Sequence, residues 1–102
     1  MFGWLNTSQT NAFATALAEE LLDSLPKSPG RPVRPDKADR AVSRALQRIH
    51  ARAREYVNAN RVGYFQRSRI GNRFLWTLRD AGMDRRVAED LTLGLLQEMA
   101  RR

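Results

Sequence analysis

Apolar residues recur at helical spacing in four segments of the chain, and no segment shows the strict alternation that is typical of a strand. In the first segment Phe13, Leu17 and Leu21 follow one another at steps of four, and Thr10 or Ser8 is placed to cap the helix. The pattern predicts four helices, over about 10–25, 37–60, 65–81 and 85–100. The sequence therefore predicts an all-α, four-helix bundle-like single domain spanning 1–102.

The breaks between the segments carry the residues that end helices. All four prolines fall at a period of three between Pro26 and Pro35, which predicts a Pro-rich connector over 26–35. We expect it to act as a stiff spacer, and the alternative is a proline-motif ligand that a partner protein binds. Gly82 is expected to take a left-handed conformation after the third helix. Asp84 is expected to cap the N-terminus of the fourth helix.

Two further features concern how the helices pack. The second helix carries a heptad seam of only two repeats, which is typical of packing within a bundle rather than of a coiled coil. Gly71 lies near the apolar face of the third helix, where a missing side chain permits close approach of another helix. In the fourth helix, the predicted core face consists of Val87, Ala88, Leu91, Leu95 and Met99.

The composition argues against most catalytic and metal sites. The 102 residues include no cysteine and a single histidine, His50, which removes disulfides, thiolate nucleophiles and the usual zinc ligand sets. The adjacent acidic pairs, such as Glu19 and Glu20, diverge on a helix and do not converge on a substrate. We therefore expect a protein that is not an enzyme and that uses no cofactor, metal or small-molecule substrate.

The charge of the chain is concentrated in its middle. The sequence has 18 basic and 11 acidic residues, and its net charge is +7. Ten arginines and a single acid, Glu55, lie between Arg40 and Arg79, whereas both ends of the chain are close to neutral. An excess of this kind attracts polyanions or acidic surfaces.

The third helix carries a basic surface that includes a tryptophan. Its apolar face centres on Leu78, and Arg69, Asn72, Arg73 and Trp76 share the opposite side. Guanidinium groups pair with phosphates, an amide reads base edges and an indole stacks on a base. The alternative interpretation is that Trp76 is buried beneath another helix.

The first functional hypothesis is that an arginine-rich face of the second and third helices binds nucleic acid, or another polyanion such as an acidic protein, with little sequence specificity. It assigns the following binding residues: Arg40, Arg44, Arg48, Arg52, Arg54, Arg61, Arg67, Arg69, Asn72, Arg73 and Trp76.

The second hypothesis is a module for protein–protein interaction or oligomerisation, whose arginine content reflects a GC-rich genome. Leu93 and Leu96 lie away from the main apolar stripe of the fourth helix and, with Met99, predict a second apolar face. Such a face is explained by a homodimer contact or by burial on both sides of the helix.

The N-terminal region and the helices give no membrane signal. No stretch approaches the apolar length of a transmembrane helix, and the polar run 6–11 interrupts what would be the apolar region of a signal peptide. We therefore expect a cytoplasmic protein with no membrane partner.

Overall fold

The computed structural model describes residues 3–25 and 35–100, with side-chain surroundings for 8–25 and 40–100. These residues form four helices and no strand, which confirms the predicted all-α, four-helix bundle-like fold. The helices are α1 (Gly3–Asp23), α2 (Pro35–Asn60), α3 (Tyr64–Asp80) and α4 (Arg85–Ala100). The predicted Pro-rich connector lies outside the described residues except for Pro35, where α2 begins.

The first helix begins earlier than predicted. It starts at Gly3, so Thr10 and Ser8 are both interior residues and neither is the cap that the sequence suggested. Thr10 is buried and stands four residues before Ala14, on the face that continues to Leu17 and Leu21. The buried stripe thus includes a polar residue, and tertiary packing overrides the weak preference of Thr10 for a non-helical position.

The four helices pack in a ring. Helix α1 packs against α3 and α2, and α4 packs against the same two helices. Among the described residues, α2 and α3 do not contact each other, so they occupy opposite corners of the bundle although only three residues connect them. The aromatic rings of Phe13 and Tyr56 stack at a centroid distance of 4.0 Å and join α1 to α2.

Each helix contributes a stripe to one apolar core. Phe74 is the largest fully buried side chain of the described residues and comes from α3, which packs against both α1 and α4. In α2, the buried positions are Ala45, Ile49 and Ala53, with the larger seam residues half-buried beside them. The remaining buried apolar residues are Ala14, Leu17, Ala18, Leu21, Val62, Ile70, Leu78, Ala88, Leu95 and Met99.

The turns at the two ends of α3 use different residues for the same geometry. Gly82 has a φ of +94°, as predicted, and the Met83 amide donates to the carbonyl of Leu78. At the end of α2 it is Arg61, with a φ of +50°, that takes the left-handed conformation. Asp84 Oδ2 accepts from the amides of Arg86 and Val87, which confirms the predicted N-cap of α4.

The core face of α4 differs from the prediction at two positions. Val87 was predicted to be a core residue and is exposed, because the buried face is centred further toward Ala88 and Thr92. Thr92 is buried, and its hydroxyl donates to the carbonyl of Ala88 at 2.8 Å. This bond inside the helix satisfies the hydroxyl, so a threonine fits where the pattern favours an apolar residue.

Helices α3 and α4 are in close contact at Gly71, where the sequence predicts the close approach of another helix. Leu96 of α4 lies over this glycine, and a Cβ placed on Gly71 would be 2.8 Å from its Cδ2 atom. Real side chains do not approach so closely, so a side chain at position 71 would require Leu96 to turn away or the two helices to move apart.

None of the helices in the described part of the chain combines the length and the apolar character that crossing a membrane requires.

Candidate nucleic-acid interface

The exposed side of α3 presents five residues in one line. We define the α3 outer stripe as these residues, which follow one another at steps of four and three: Phe65, Arg69, Asn72, Trp76 and Arg79. At 100° per residue they lie within about 80° of each other. The buried face of the same helix is formed by Ile70, Phe74 and Leu78, so the stripe lies on the opposite side, which faces solvent.

Trp76 is on the surface of the protein. Its side chain is 51% exposed, which answers the question that the sequence left open between exposure and burial. The guanidinium carbon of Arg79 lies over the indole ring, 5.8 Å from its centroid. This cation–π contact orients both side chains, and Trp76 remains exposed beside it.

The predicted polar partners of Trp76 are also exposed. Arg69 and Asn72 belong to the outer stripe, and Arg73 borders it. The Nε atom of Arg73 donates to the hydroxyl of Thr15 on α1 at 3.2 Å, which orients its guanidinium group. The structure therefore brings together the four residues of α3 that the sequence assigned to one surface.

Two members of the outer stripe were missed by the sequence prediction. Phe65 was assigned to the start of the helix, and Arg79 was counted in the charge excess but not in the surface. Both are exposed, and Phe65 is the most exposed of the large apolar residues that the structure describes. The signal was present in the spacing, because Phe65 precedes Arg69 by four residues and Arg79 follows Trp76 by three.

Three of the five predicted arginines of α2 bind carboxylates of neighbouring helices. Arg48 and Arg52 both contact Glu20 of α1, at 3.3 Å and 2.7 Å. Arg54 contacts Glu98 of α4 at 2.7 Å. These exposed pairs each contribute at most about 1 kcal/mol to stability, but they neutralise part of the charge that the sequence assigned to a binding face.

The other predicted arginines are dispersed. Arg40 and Arg44 lie on the outer side of α2, Arg61 forms the turn after α2, and Arg67 is half-buried at the start of α3. The arginines of α2 and those of α3 are carried by helices at opposite corners of the bundle. The predicted joint face of the second and third helices thus divides into two surfaces. Within the described ranges, only the surface on α3 includes exposed aromatic rings.

The predicted interaction surface of α4 is reduced to one residue. Leu93 is exposed, whereas Leu96 packs over Gly71 and Met99 is fully buried in the core. Burial on both sides of the helix, the alternative to a homodimer contact, therefore accounts for Leu96 and Met99. A single exposed leucine is ordinary for a protein surface.

The flank between α2 and α4 contains the only histidine of the sequence. The Nε2 atom of His50 is buried and has no hydrogen-bond partner among the described residues. Burial is the main cause that lowers the pKa of His50 below its usual range; nearby Glu98 opposes this effect and Arg54 adds to it. The neutral imidazole is therefore favoured in the folded protein.

We expect the free energy of unfolding to fall as the pH drops below about 6.5, the usual pKa of histidine. In that range the unfolded chain takes up a proton that folded His50 resists, so unfolding is favoured by at most about 1.4 kcal/mol per pH unit. Urea unfolding between about pH 7.5 and 5.5 measures the effect, and His50→Gln should remove it. A wild-type protein that gains stability over this range relative to His50→Gln would instead indicate a charged His50 paired with Glu98.

Comparisons with known proteins give no match: no protein-family model, no curated protein and no solved structure is significantly similar to this chain. Any function must therefore be argued from the site itself.

Proposed function

We propose that this protein binds nucleic acid through the exposed side of α3, with little sequence specificity and without catalysing a reaction. The observation that carries the proposal is the half-exposed Trp76 within a row of arginines and an asparagine. Helix α3 contains four arginines and a single acid, Asp80. This combination of positive charge, amide and indole on one rigid helix suits a ligand with phosphates and bases.

The carboxylate partners of three α2 arginines favour α3 over α2 as the binding surface. Glu20 offsets the charge of Arg48 and Arg52, and Glu98 offsets that of Arg54. A phosphate that approaches these three side chains must compete with a carboxylate already in contact. Arg40 and Arg44 remain as a second basic surface, on which none of the large exposed apolar side chains of the described residues lies.

Low sequence specificity follows from the composition of the surface. Contacts to phosphates carry no sequence information, and an aromatic ring stacks on any base. In the outer stripe Asn72 is suited to reading a base edge, and arginines that are engaged with phosphates do not read bases. We therefore expect similar affinities for strands of different sequence.

The test compares two pairs of substitutions that remove the same charge from different corners of the bundle. Binding of fluorescent DNA and RNA is measured by anisotropy at salt concentrations from about 50 to 200 mM. Arg69→Gln with Arg79→Gln should weaken binding and reduce the salt slope by roughly one unit for each phosphate that the variant no longer binds. Arg40→Gln with Arg44→Gln, the matched control on α2, should have the smaller effect.

Two results would contradict the proposal. If neither DNA nor RNA binds at about 50 mM salt, the protein is not a nucleic-acid-binding protein of this electrostatic type. If the α2 pair weakens binding more than the α3 pair, the binding surface is on α2, and the exposed side of α3 has another role.

A further inference from the structure

The α3 outer stripe holds two aromatic rings at a defined separation. Phe65 and Trp76 are eleven residues apart, which places them about 20° apart around the helix and roughly 16 Å apart along its axis. Arg69 and Asn72 lie between them, and a shallow concavity runs past Phe65, Ser68, Arg69 and Asn72. The surface thus alternates rings with groups that bind phosphates or accept and donate hydrogen bonds.

Both rings are available to a flat partner. Phe65 is 82% exposed, and the one ring beside it in the described part of the chain is Tyr64, which meets it at 79° with the centroids 5.7 Å apart. An edge-on neighbour of this kind does not form a parallel stack on Phe65. Trp76 has Arg79 over its ring and remains half-exposed, which leaves surface on which a base can stack.

Aromatic rings distinguish single-stranded from double-stranded nucleic acid, whereas arginines do not. Guanidinium groups bind the phosphates of single and double strands alike. In a duplex the faces of the bases are covered by their neighbours, and only their edges are open in the grooves. A single strand offers its base faces, and successive bases stack on aromatic side chains of proteins that bind it.

From this geometry we infer that the α3 outer stripe binds single-stranded nucleic acid in preference to duplex, with bases stacked on Trp76 and Phe65. The inference rests on the proposed function and adds the class of ligand. At a rise of about 3.4 Å per nucleotide, a stacked strand covers the separation of the two rings in about five steps. A segment of about six nucleotides therefore reaches both rings, which is within the range of known single-strand sites.

The experiment measures the affinity of the full chain for single strands of DNA and of RNA and for the corresponding duplexes, at one salt concentration. Trp76→Ala and Phe65→Ala are each expected to weaken single-strand binding by between about fivefold and a hundredfold. Their effect on duplex binding and on the salt slope should be small, because neither substitution removes a charge. Leu93→Ala, which removes an exposed apolar side chain from α4, is the matched control and should change nothing.

The outcomes separate this inference from the proposed function. Equal binding of single strands and duplexes, unaffected by either aromatic substitution, would overturn the stacking inference and leave electrostatic binding intact. Absence of binding to every oligonucleotide would overturn both. If the aromatic substitutions change the oligomeric state of the protein in solution and leave oligonucleotide binding as it was, the stripe is a protein contact and the inference is wrong.

Discussion

Phe74→Ala is expected to lower the free energy of unfolding by about 3 to 5 kcal/mol, the usual loss when a buried aromatic side chain is truncated. Phe74 is fully buried at the centre of α3, and α3 packs against both α1 and α4. The loss is a large part of the stability that is common for a domain of this size. Urea unfolding followed by circular dichroism measures it, with the change read from the midpoint at constant slope.

Trp76→Ala provides the control for Phe74→Ala on the same helix. Trp76 is two residues further along α3 and half-exposed, so its truncation should cost no more than about 1 kcal/mol, mainly because it removes the cation–π interaction with Arg79. The contrast also shows that the variant used for binding remains folded. Equal losses for the two variants would mean that Trp76 belongs to the core.

The sequence predicted the four helices because the apolar residues of each recur on one face. It failed where a polar residue is buried or an apolar one is exposed. Thr10 and Thr92 are both buried within helices, and a residue-by-residue pattern assigns threonine to caps or to solvent. Val87 is exposed in the first turn of α4, because the buried face of this helix is centred toward Ala88 and Thr92.

The residue that takes the left-handed conformation after α2 could not be predicted from the preference for glycine, which gives the correct residue after α3. Glycine is the residue expected there, and Gly63 follows α2 closely. The structure uses Arg61 instead, and Gly63 has an extended backbone that any residue adopts. An arginine in this conformation is less favourable than a glycine, so local preference gives no warning of it.

The sequence grouped residues correctly within α3, but it also predicted a joint face of α2 and α3 that the structure does not form. A helical wheel places Arg69, Asn72, Arg73 and Trp76 on one side of one helix, and the structure agrees. A helical wheel cannot determine which helices are neighbours. A connection of three residues favours adjacent helices, yet α1 and α4 lie between α2 and α3.

Acidic residues from the neutral ends of the sequence form ion pairs that charge counting did not predict. Glu20 in α1 and Glu98 in α4 come from these ends and pair with arginines of α2. The uneven charge of the sequence is thus partly levelled in space on α2. Helix α3 contains only one acid of its own, so the basic character of the middle of the chain is best preserved there.

Gly71→Val is expected to lower the free energy of unfolding by roughly 2 to 3 kcal/mol, because overpacking a close helix contact typically has a cost of this size. The first added carbon would lie 2.8 Å from Leu96 Cδ2, 3.1 Å from Cγ and 3.2 Å from Cδ1. Either Leu96 turns away or α3 and α4 separate. Both changes expose apolar surface at the contact between α3 and α4.

Gly94→Val is the matched control, because it makes the same change in a helix at a place where a Cβ meets nothing within 4 Å. It should be close to neutral or slightly stabilising, since valine has a somewhat better helix propensity than glycine. Leu96→Ala opens the space that the added side chain needs, so the double variant Gly71→Val with Leu96→Ala should lose at least about 1 kcal/mol less than the two single losses combined. Simple additivity in urea unfolding would show that Leu96 is not what restricts position 71, and that the two helices are set apart by contacts elsewhere in the core.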